Sequence, residues 1–69
     1  MAFGLNKEEK KIEYKRLLDE INATSSKPKL WELKKTAPNL YRKGRLNNDQ
    51  MNDLVEVAIT KYLSLTDEP

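Results

Sequence analysis

An all-α fold is predicted for this chain by three observations. Apolar residues recur at helical spacing, polar or proline- and glycine-bearing breaks separate those stretches, and good capping residues stand at the breaks. The expected architecture is a small antiparallel bundle of three main helices plus one short helical turn. Residues 1–6 are expected to form a flexible N-terminal arm, 7–65 a single helical domain, and 66–69 a frayed tail.

In the arm, Phe3 and Leu5 are candidate docking points, and Gly4 loosens the backbone between them. Asn6 is placed to cap a helix beginning at Lys7, with Glu8 and Glu9 in the first turn, where carboxylates are favoured by the positive end of the helix dipole. That helix is expected to run to about Asn22 and to bury Tyr14, Leu17, Leu18 and Ile21. Leu5 and Ile12 fall roughly 160–180° from Tyr14 at about 100° per residue. Either they lie against the arm and the chain's own end, or they form a second, outward apolar strip that meets a partner.

Thr24, Ser25 and Ser26 compete for backbone hydrogen bonds and mark the first break. Ser26 is a good N-cap, and Pro28 sits near the first helical position, where a missing amide hydrogen is harmless. A second helix is expected over Lys29 to about Thr36, with Leu30, Leu33 and Ala37 inward and Trp31 at the edge of that side. Pro38 disfavours helical geometry at Ala37 and should end it. Asn39 to Lys43 then form the short turn, carrying Leu40 and Tyr41 inward, and Gly44 closes it in a left-handed cap. Leu46 leads into the last helix, where Asn47 and Gln50 approximate a capping box.

The last helix has the most sustained pattern. Met51, Leu54, Val55, Ala58, Ile59, Tyr62 and Leu65 follow i, i+3, i+4, i+7 spacing, with Asn52, Asp53, Glu56, Thr60 and Ser64 opposite. This is the surface on which the other elements are expected to pack.

Sixty-nine residues make one domain at most, and 38% apolar against 35% charged residues leaves a thin core, so association is a physical expectation. With no cysteine and no histidine, the chain lacks thiolate chemistry, the usual general base and the commonest metal ligand. No apolar run approaches the roughly 18 residues of a bilayer span. A cytoplasmic, non-enzymatic protein without membrane contact is therefore expected, with no catalytic residues and no cofactor. Ser25, Ser26 and Ser64 sit in a turn and on a polar helix face, poor places for an activated nucleophile. Asp49, Asp53 and Glu56 form an acidic row, but hard cations want six or more oxygens from a wrapped loop, so a solvated face is expected there and no metal.

Charge is distributed unevenly. Residues 1–26 balance; residues 27–45 carry seven cations against Glu32 alone, a net +6; the remainder carries Lys61 against five carboxylates, a net −4. The expected activity is binding to another protein, as an adaptor, regulator or inhibitor, through a basic central surface that suits an acidic partner. The candidate contact residues are Trp31, Lys34, Lys35, Tyr41, Arg42, Lys43 and Arg45, with Leu5 and Ile12 as a second interface. For Trp31 and Tyr41 the competing role is core packing. Two other functional classes use the same features. A nucleic-acid-binding accessory protein would place the same cations on phosphates, although a helix-turn-helix is excluded because Gly44 follows Pro38 within six residues. A self-associating module would bury the thin core against a second copy.

Overall fold

A computed structural model of the chain describes residues 4–65. Three helices follow in order: α1, Lys7–Ala23; α2, Lys27–Arg42; and α3, Asn48–Ser64. Among the described residues there is no strand. Phe3 and the expected frayed tail, 66–69, lie outside the described residues.

Two of the helices begin with reciprocal caps. Asn6 Oδ1 accepts from the Glu9 amide at 2.8 Å while Glu9 Oε1 accepts from the Asn6 amide at 3.2 Å. The Asn47 and Gln50 pair at the start of α3 repeats the arrangement at 2.7 and 3.0 Å. Each box satisfies donors that the first helical turn leaves without partners.

Helix α2 departs from expectation at both ends. It starts at Lys27, with Ser26 capping the Lys29 amide, and it runs unbroken through Pro38 to Arg42. Residues 39–42 are thus the last turn of α2, not a separate short helix. An interior proline removes one hydrogen bond, here the one the Lys34 carbonyl would receive, and costs about 3 kcal/mol. Packing offsets that penalty: Leu30 and Ala37 are fully buried, Leu33 nearly so, and Leu40 packs against the same core. A break at Pro38 would take Leu40 off that stripe.

The end of α2 is closed as the glycine predicts. Gly44 adopts φ 77°, its amide donates to the Tyr41 carbonyl at 3.0 Å, and the Arg45 amide donates to Leu40 at 2.8 Å. This pair of bonds is the Schellman closure, which needs a left-handed residue at that position. The Leu5 amide donates to the Gly44 carbonyl at 2.9 Å, and a β-carbon at Gly4 would run into that same oxygen. Gly4 is therefore required for close backbone approach.

The core draws Leu17 and Ile21 from α1, Leu30, Leu33 and Ala37 from α2, Leu46 from the connecting loop, and Leu54 and Ala58 from α3. Helices α2 and α3 make the most extensive pairing. Along it Trp31 meets Tyr62, and Pro38 lies with Val55. Helix α3 serves two neighbours, so its buried surface is wider than one stripe and shifted. Val57, which the wheel left unassigned, packs against the core, whereas Ile59 is 37% exposed.

Helix α1 is fastened to α3 and to the α2–α3 loop by polar ties, as well as to the core by Leu17 and Ile21. Tyr14 donates its hydroxyl hydrogen to Asp53 at 2.5 Å, and Arg45 donates through Nη2 and Nε to Glu13 at 2.9 and 3.2 Å. Lys61 donates to the carbonyls of Ile21 and Asn22 at 3.0 and 2.6 Å. The last turn of α1 has no basic residue of its own, so a lysine from α3 meets the negative end of its dipole. No helix among the described residues is long and apolar enough to cross a membrane.

Candidate functional site

The α2–α3 pair has two flanks. One is covered by α1, through the ties above. On the other, large apolar side chains reach solvent: Trp31 is 45% exposed and Leu63 75% exposed, with Ile59 beside them. At about 100° per residue, Trp31, Lys34, Lys35, Pro38 and Arg42 occupy one face of α2, because 31, 34, 35, 38 and 42 follow i, i+3, i+4, i+7, i+11.

This open flank is ordered by ring and cation contacts. The Trp31 and Tyr62 ring centres stand 5.6 Å apart with their planes tilted by 52°. The Lys34 ammonium sits 4.1 Å from the centre of the Trp31 ring, and the Lys27 ammonium 5.0 Å from that of Tyr62. A cation over an aromatic face is attracted by the ring quadrupole, by about 0.5–1 kcal/mol at exposed sites. Lys34 is thereby held beside the groove with its ammonium still available to accept a further charge partner. Between Leu30 and Trp31 on one wall and Ala58, Ile59 and Leu63 on the other lies an apolar depression of about 240 Å³, room for a large side chain. Farther along, Lys34, Lys35 and Arg42 border a second recess floored by Pro38 and Val55.

Of the seven residues singled out from sequence, four share this flank: Trp31, Lys34, Lys35 and Arg42. Lys43 and Arg45 do not join them. They line the cleft between α1 and α2, together with Glu13, Arg16 and Glu20. There Arg45 is forked onto Glu13, whose side chain is only 10% exposed, so its charge is answered within the chain. Lys35, Arg42 and Lys43 make no ion pair with a described residue. Tyr41 is 42% exposed and makes no ring contact among the described residues. Neither it nor Trp31 is core, which reverses the packing role considered for both.

The proposed second interface is not assembled as one strip. Ile12 is 65% exposed on α1, but Leu5 precedes the helix, is half-buried, and is tied through its amide to Gly44. The acidic row of α3 is also broken up, because Asp53 turns to Tyr14. Among the described residues no three acidic side chains converge. The hydrogen bond to Asp53, then burial, then the nearby carboxylate charge together raise the Tyr14 pKa above its ordinary 10.0.

Sequence reasoning missed Glu13 and Leu63, and each had a signal. Glu13 is in register with Leu17 and Ile21, a carboxylate standing where the stripe calls for an apolar residue, which announces a cation partner. Leu63 falls about 180° from Leu54 on the wheel, so it could not belong to the same buried face.

A search of protein-family models, curated proteins and solved structures finds no match to this chain.

Proposed function

We propose that the chain is a small non-enzymatic protein-binding module, an adaptor, regulator or inhibitor, that engages an acidic partner through the open flank of α2 and α3. The observation that carries this reading is the coincidence on one helix face of a half-exposed tryptophan with Lys34, Lys35 and Arg42, beside exposed Ile59 and Leu63. Aromatic residues and arginine dominate binding hot spots, and exposed apolar area rimmed by charge is the usual character of such surfaces. The contact set is accordingly narrower than the seven residues: Lys43 and Arg45 lie on the α1 side, where Arg45 is paired with Glu13, and Tyr41 is not part of the set.

The same reading takes consecutive helices as antiparallel. Its support is the pairing of Trp31 with Tyr62 and of Pro38 with Val55, in which position rises along α2 as it falls along α3.

Affinity capture from the native host, with the partner read out by mass spectrometry, tests the function. The Lys35→Glu, Arg42→Glu double variant is expected to lose the captured partner while its circular dichroism stays unchanged; capture at full strength would sink the reading. A gel shift on mixed nucleic acid at low salt separates the alternative, since phosphate binding through the same cations would be retained there and fall steeply with added salt.

A further inference from the structure

Resting on the protein-binding reading above, we propose that the open flank receives an amphipathic helix of the partner. Its acidic edge lies along α2, against Lys34, Lys35 and Arg42, and its apolar stripe covers Trp31, Ile59 and Leu63. Three features of the molecule point to a helix with that polarity.

The first is shape. Both walls of the groove are helices, whose backbone groups, the Lys34 carbonyl below Pro38 apart, are already used internally, and no strand edge is offered among the described residues. An extended segment would find few backbone partners there, whereas a helix seats its ridges in the groove between two others. The α2 wall spans 16 residues, roughly 24 Å at about 1.5 Å each, enough for anchors at i, i+3 or i+4, and i+7.

The second is charge asymmetry across the groove. Its α2 rim carries Lys34, Lys35 and Arg42. Along the α3 side, next to Ile59 and Leu63 on the wheel, stand exposed Asn52 and Glu56. An occupant acidic on both edges would set a carboxylate against Glu56; one acidic on the α2 edge alone avoids this.

The third is an internal precedent. On the covered flank α1 already packs as this partner would: its Glu13 answers Arg45, just beyond the end of α2, while its Tyr14 donates to an acceptor, Asp53, on α3. A carboxylate edge answering a cation on the α2 side is the chemistry proposed for the helix on the other flank.

Trp31 is the only tryptophan, so its emission reports occupancy of the groove directly. The probes are three tryptophan-free synthetic peptides of about 16 residues. One is a leucine-striped helix with glutamates on one edge and glutamines on the other, the second has the same composition interrupted by two prolines, and the third is the helix with lysines in place of the glutamates. Saturable change of Trp31 emission by the first peptide is expected, with binding at least about tenfold weaker for the other two. Lys35→Glu, Arg42→Glu should weaken the first peptide by a similar factor, and Glu56→Lys should not weaken it. If the proline peptide binds as well as the helix, the helical inference falls while the acidic-partner reading stands. Equal binding of the lysine peptide overturns both. If no peptide alters Trp31 emission, or if sedimentation finds the groove already closed by a second copy of the chain, the inference falls, and the capture experiment with the charge-reversed variant then decides the broader reading on its own.

Discussion

The two flanks of the α2–α3 pair are built from similar residue types and put to opposite ends. On the covered flank, charges face one another across the α1 contact: Arg45 meets Glu13, Asp53 accepts from Tyr14, and Lys61 meets the carbonyl end of α1. On the open flank Lys34, Lys35 and Arg42 surround exposed rings and aliphatic side chains and make no ion pair with a carboxylate among the described residues. A basic segment on its own therefore says little about binding. What separates a structural cation from an available one is whether the fold brings a carboxylate or carbonyl to it, and here that division falls between consecutive turns of one short stretch.

The contrast is sharpest where large apolar side chains are deleted. Leu54 is fully buried between neighbours, whereas Leu63, nine residues on in the same helix, is 75% exposed. Leu54→Ala should destabilise the domain by about 2–5 kcal/mol, lost transfer energy plus a cavity, which in a chain this small removes much of the stability. Leu63→Ala should change it by no more than about 0.5 kcal/mol. Urea unfolding followed by circular dichroism measures both. A large loss at Leu63 would mean that the open flank is part of the core, and the distinction between the flanks would dissolve.

Next in size is the ion pair that fastens α1. Arg45→Met leaves the nearly buried Glu13 carboxylate without its donor and should cost about 2 kcal/mol, less than a fully buried pair because the arginine side chain is 46% exposed. Adding Glu13→Leu should recover most of that loss, since an apolar pair of similar volume has no charge to desolvate. By comparison Arg42→Met, on the open flank, should leave the unfolding midpoint in place. If Arg42 proves as costly as Arg45, the two cations are not differently employed.

Much of the fold was legible in residues whose effects are local. Asn6, Ser26, Asn47 with Gln50, and Gly44 each act within one turn of backbone, and each stands in the structure where the sequence implied. The continuation of α2 through Pro38 was not legible, because the preference of the residue before proline is local while the burial of Ala37 and Leu40 that overrides it comes from the other helices. The candidate site was legible in composition but not in grouping. A wheel places Trp31, Lys34, Lys35 and Arg42 together, yet nothing in the linear charge run sets Arg45 apart until Glu13 is brought to it from 32 positions away. A single-stripe wheel places Ile59 inward, but α3 packs against two neighbours, which shifts its buried surface and leaves Ile59 partly in water.

The smallest effect concerns the bond between Tyr14 and Asp53, which should give the covered flank a pH dependence of its own. Tyr14→Phe removes one charge-assisted hydrogen bond and should cost about 1.5 kcal/mol at neutral pH. The tyrosine pKa is raised in the folded chain, so the native state holds that proton more tightly than the unfolded one. The sign follows from linkage: the contribution is present in full below the unfolded-state pKa, near the ordinary 10.0, and is lost as pH rises through the raised folded value. The gap between wild type and Tyr14→Phe should therefore be constant through neutral pH and close in alkali. Denaturant unfolding of both proteins at neutral and at strongly alkaline pH measures this. A gap that survives deprotonation would show that the donated hydrogen is not what the Tyr14 hydroxyl contributes, since phenylalanine keeps the ring, and would leave Arg45 and Lys61 as the polar fastenings that set the covered flank apart.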